Sequence, residues 1–74
     1  MSTSSQLVYI DSDEEIISVI GRLRKISDSN VFFAVPKHAV FIRSLVNLRL
    51  LERESRKLGK RVSLVAQDEA GRAL

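Results

Sequence analysis

The chain has no cysteine and no tryptophan, a single proline, three glycines, and only one tyrosine and three phenylalanines among its 74 residues. The missing cysteine excludes disulfide scaffolds, thiolate zinc sites and cysteine nucleophiles together, and it suits a reducing cytoplasm. The three glycines, Gly21, Gly59 and Gly71, form no Gly-x-Gly-x-x-Gly, Walker or Gly-x-Ser-x-Gly pattern. None of them stands at a strand-to-helix turn, so the backbone cannot wrap a pyrophosphate closely, which argues against dinucleotide binding of the usual kind. No apolar run approaches the roughly 20 residues that span a bilayer, so no membrane insertion is expected. Residues 1–5, Met-Ser-Thr-Ser-Ser, do not read as a secretory signal. With one histidine and no nucleophile converging on it, the chain is not expected to be an enzyme, and no metal or cofactor is expected.

What is present is enough for one small folded domain: 45% hydrophobic and 28% charged residues, with a net charge of +3. Residues 1–6 read as a disordered tail and residues 7–74 as a single α/β domain. Leu7-Val8-Tyr9-Ile10 is a short apolar run that fits a strand. Ser12-Asp13-Glu14-Glu15 matches a capping box, with Ser12 accepting from the Glu15 amide and the Glu15 side chain reaching back. From Ile16 the spacing turns helical, with Ile16, Val19, Ile20, Leu23 and Ile26 on one stripe, until Ser27-Asp28-Ser29-Asn30 stops it. Val31-Phe32-Phe33-Ala34-Val35 is a second strand ended by Pro36. A long helix starts between Phe41 and Leu45 and runs to Leu58, where Gly59 supplies the left-handed residue after it. Val62 to Ala66 form a third strand, and Gln67 can open a last short helix.

The pattern β-α-β-α-β-(α) predicts a small three-stranded parallel sheet joined by right-handed crossovers, a Rossmann-like half. Order 2-1-3 is favoured, because helices on both faces explain strands that read apolar throughout. Order 3-2-1 would leave one face bare for something else to cover. Two open sheet edges, and a last helix too short to stand alone, further predict a domain that is truncated at its C-terminus or completed by other copies.

Chemistry in such sheets gathers beyond the strand C-termini. There Ser12, Lys37 and His38 are candidates for binding a small anionic or nucleotide-like ligand. The acids from Asp11 to Glu15 are read as helix capping and not as a magnesium site. Charge is polarised along the chain: residues 1–20 carry −4, whereas residues 41–61 carry seven basic and two acidic groups, 7 − 2 = +5. Copies stacked head to tail would therefore meet with opposite charges. On a wheel of about 100° per residue, Phe41, Leu45, Leu48, Leu51 and Leu58 form the core stripe of the long helix. Val46 and Leu50 lie opposite, framed by Arg43, Arg53 and Lys57, the composition of a protein-contact patch. The function expected is thus a non-enzymatic interaction or assembly module, self-associating or docking within a larger protein. Ligand binding at the strand ends is the alternative, and nucleic-acid binding through the basic helix is a weaker one.

Asp11-Ser12-Asp13-Glu14-Glu15-Ile16, Val35-Pro36-Lys37, Ser44 through Leu51, Lys57-Leu58-Gly59-Lys60, and Asp68 with Gly71-Arg72-Ala73-Leu74 carry a resemblance. The stretch from Ile10 to Leu74 resembles a bacterial sequence family with an N-terminal Rossmann-like half-domain in larger, mostly uncharacterised proteins, some labelled baseplate-J-like. That resemblance implies a segment normally followed by more chain, and it brings no catalytic residue with it. Such sequences often place glycine after the lysine, where this chain has His38.

Overall fold

A computed structural model describes residues 4–67. The elements run β1 (Ser5–Tyr9), α1 (Ile16–Lys25), β2 (Asn30–Val35), a 3-10 turn (Phe41–Arg43), α2 (Leu45–Lys57) and β3 (Arg61–Ala66). The alternation of strand and helix is the one expected. β1 begins at Ser5, so Ser5 and Gln6, placed in the tail by composition, pair with Asn30 and Val31. The helix expected after Gln67 lies outside the described residues.

All three strands are parallel and lie in the order β1-β2-β3. The expected order 2-1-3, with helices on both faces, is therefore corrected. Two right-handed crossovers that step the same way put both helices on the same face. The core confirms it: Val8 and Ile10 from β1 and just beyond it, with Val31, Phe33 and Val35 from β2, join Val19, Ile20 and Leu23 of α1 and Leu51 of α2 in one cluster. β2 is central because it alone is apolar without interruption from Val31 to Val35. Ser63 breaks β3, and polar Ser5 and Gln6 open β1.

The first helix starts differently from its expected cap. Its N-cap is Glu15, which makes no side-chain cap bond, and Ser12 lies in a turn before it. That turn closes through Glu14 N to Asp11 O at 3.1 Å, while the Asp11 amide donates to Glu14 Oε1 at 3.2 Å. Glu14 thus performs, one residue early and outside the helix, the reach-back expected of Glu15. Val19, Ile20 and Leu23 are buried as the spacing requires.

The second helix is capped at both ends. Ser44 Oγ accepts the Asn47 amide at 3.4 Å. At the other end Gly59 takes φ +67, its amide reaching Arg56 O at 3.0 Å and that of Lys60 reaching Ser55 O at 2.9 Å. These are the two bonds of a Schellman stop. The core stripe is Leu51 and Ser55, flanked by Leu48; the Ser55 hydroxyl is satisfied by Glu52 O at 2.7 Å. Phe41 is fully buried, but from the 3-10 turn, while Leu45 is 63% exposed. Phe41 thus joins the core as expected, though from outside the helix; the stripe fails at Leu45, the first helical residue, and at Leu58, the C-cap residue, which is 38% exposed.

Candidate functional site

The strand register sorts the sheet residues by face. Val31, Phe33 and Val35 face the helices, and so do their neighbours Val8, Val62 and Leu64. The opposite face carries three rows: Ser5–Asn30–Arg61, Leu7–Phe32–Ser63 and Tyr9–Ala34–Val65. Among the described residues both helices and the 3-10 turn pack on the first face, and nothing covers the second. Phe32 is 37% and Tyr9 43% exposed, whereas neighbouring Phe33 is fully buried. Ala34, set between Tyr9 and Val65 in the register, is buried. The result is a largely apolar surface with Phe32 at its centre and, among the described residues, one charged residue, Arg61, at a corner.

Both edges of the sheet are open among the described residues. Asn30 N bonds Ser4 O at 3.1 Å and Ile10 N bonds Ala34 O at 3.0 Å. The alternation of a parallel ladder then turns the main-chain groups of Ser5, Leu7 and Tyr9 outward. Arg22 guards one end of that edge. Its Nη2 donates to Tyr9 O at 3.0 Å, and its Nη1 to both Glu14 carboxylate oxygens, at 2.8 and 3.1 Å. On the far side Arg61 N bonds Ser29 O at 2.8 Å, which leaves the Val62, Leu64 and Ala66 main-chain groups on the β3 edge.

The patch read on the long helix is narrower than expected. Val46 is 73% exposed and lines a groove of about 220 Å³ with Arg49, Leu50 and Arg53. Leu50, however, packs partly against the core cluster. Arg43 stands outside the helix, in the 3-10 turn, and Lys57 is engaged by Glu54 at 3.5 Å. Arg49 belongs to the groove although the sequence reading passed over it.

The loops after β1 and β2 meet, as the ligand reading requires: Val40 N donates to Ser12 O at 2.9 Å. Ser12, Lys37 and His38 are all exposed. Lys37 lines an apolar cleft of about 430 Å³ with Val35, Pro36, Ile42, Leu48, Leu64, Val65 and Ala66, a lining that includes neither Ser12 nor His38. Beside these loops, the Glu14 carboxyl has its titration displaced. Burial raises its pKa, but hydrogen bonds from Ser18 and Arg22, the Asp11 amide and the guanidinium charge together hold it below the usual carboxylate range. Its side chain is 7% exposed, and its lone pairs are spent on structure. Among the described residues no three His, Asp or Glu side chains converge as a metal site would need, and no helix is long and apolar enough to cross a membrane.

No family model matches the chain, and neither a curated protein nor a solved structure matches it.

Proposed function

We propose that the chain is a non-enzymatic interaction or assembly module that acts by having its bare sheet face covered by protein. The observation that carries this reading is the apolar surface formed by Leu7, Tyr9, Phe32, Ala34 and Val65. Parallel sheets are as a rule covered on both faces, and contiguous exposed apolar surface marks docking sites. The order β1-β2-β3 supports the same reading, because it is the order of the first half of a doubly wound nucleotide-binding sheet, a half completed by further elements. Dye binding and sedimentation test the proposal. The wild-type chain should bind an environment-sensitive naphthalene-sulfonate dye and associate weakly at high concentration. Tyr9→Ser with Phe32→Ser should abolish both while the far-ultraviolet circular dichroism stays native. A wild-type chain that binds no dye and remains monomeric contradicts the proposal.

A second reading rests on the cleft beside Lys37. Its apolar lining and single ammonium suit an apolar molecule with one carboxylate better than a nucleotide. Thermal shift with medium-chain fatty acids and with nucleotides separates the two, and no shift with either removes this reading.

A further inference from the structure

We infer that the occupant of the bare face is one amphipathic α-helix with an uncharged aliphatic seam, lying antiparallel to the strands with its C-terminal end toward Arg61. The inference rests on the docking reading and adds the identity of the partner. Dimensions carry it. From β1 to β3 is two strand spacings, roughly 9.6 Å, and a helix with its side chains is about 10 Å across. Strands of five or six residues extend about 17–20 Å, the length of a helix of about twelve residues.

A second copy fits less well. Two such faces stacked on each other would bury on the order of 500 Å², short of the roughly 1,200 Å² of a standard stable interface. A copy also has no free apolar helix face to offer among its described residues. The stripes of α1 and α2 are already buried on their own sheet, and the outer groove of α2 is lined by Arg49 and Arg53. A footprint this small calls for a helix held at high local concentration, as on a tether.

Charge sets the orientation, and the apolar rows set the seam. Arg61, at the strands' N-terminal end, is the one charged residue of the face among the described residues and favours the negative end of a helix dipole. Leu7, Phe32, Tyr9, Ala34 and Val65 make two of the three rows apolar but for Ser63, which calls for an uncharged aliphatic seam.

The test fuses a helix of about twelve residues, with leucines at i, i+3, i+4 and i+7, to the full chain. A Gly/Ser linker of about 20 residues, spanning roughly 25 Å, permits either orientation. The phenylalanines are para-fluorinated, and a soluble gadolinium chelate reports exposure. At a local concentration of about millimolar, seating should cut the relaxation of the Phe32 resonance roughly threefold. The buried Phe33 and Phe41 signals, unchanged, verify the fold. A nitroxide on the helix's last turn should broaden the amides of Ser5, Asn30 and Arg61 more than those of Tyr9, Ala34 and Val65. An unprotected Phe32, equal protection by a helix with serines in the seam, or the reversed broadening pattern overturns the inference. Dye binding by the unfused chain tests the docking reading separately, so a helix that fails to seat leaves that reading standing.

Discussion

Arg24 of α1 and Glu54 of α2 meet at 2.7 Å across the helix layer. That pair can form only because both crossovers fall on the same side of the sheet. The ion pair itself is exposed on the arginine side and stabilises little; its value is as a marker of topology.

The marker can be used directly, since the chain has no cysteine of its own. The double variant Arg24→Cys with Glu54→Cys, given a short bis-maleimide, should form an intramolecular cross-link in high yield at micromolar protein. The same reagent on Arg24→Cys with Phe32→Cys, a pair on opposite sides of the sheet, should give little. Equal yields would contradict the single helix layer.

Acid should destabilise the fold partly through Glu14. Its folded-state pKa is depressed, so its contribution is complete above the unfolded-state value of about 4.3 and is lost as pH falls through the folded-state value. Glu54 adds to the same limb; hydrogen bonding from Arg24 is the main reason its carboxyl sits low. Urea midpoints should hold from pH 7 to about 5 and fall below about 4.3. Glu14→Gln should cost about 1–2 kcal/mol at pH 7 and flatten the acid limb. An acid limb identical to wild type removes Glu14 from this role.

The two described glycines should respond in opposite directions. Neither would place a new Cβ within 4 Å of a neighbour, so only the backbone decides. Gly59→Ala forces a side chain into φ +67 and should cost about 1–2 kcal/mol. Gly21→Ala, inside α1, should stabilise by roughly 0.5–1 kcal/mol. Thermal melts of the pair check both signs.

On the long helix, Val46→Asp should leave stability within about 0.5 kcal/mol of wild type, as surface changes do. Leu50→Asp should cost about 2 kcal/mol or more, since it puts a carboxylate against the core cluster. The sequence alone presents the two positions as equivalent outward aliphatics, which would make both changes nearly neutral for stability. Urea denaturation of both variants decides between these descriptions.

Local patterns were readable because they are short-range physics. The Ile16–Leu23 spacing, the Gly59 stop and the apolar strands all announce themselves within a turn or two of chain. Strand order did not, because apolar residues on both sides of a strand look alike whether the second side is covered or bare. One signal was present: the unbroken run from Val31 to Val35 marks the central strand, and a central β2 excludes order 2-1-3. The helix phase is misjudged at Phe41 because a 3-10 turn intervenes, and at Leu50 because that side chain packs partly against the core cluster on a flank that a wheel for one helix treats as outward. The bare face itself emerges only when register sets Leu7 beside Phe32 and Tyr9 beside Ala34 and Val65.

Fluorine NMR of the wild-type chain with its three phenylalanines para-fluorinated tests the central claim most directly. With a soluble gadolinium chelate, one resonance should relax strongly and vanish in Phe32→Leu, while Phe33 and Phe41 stay protected. Three equally protected resonances would mean that both faces of the sheet are covered, and the bare-face account would be wrong.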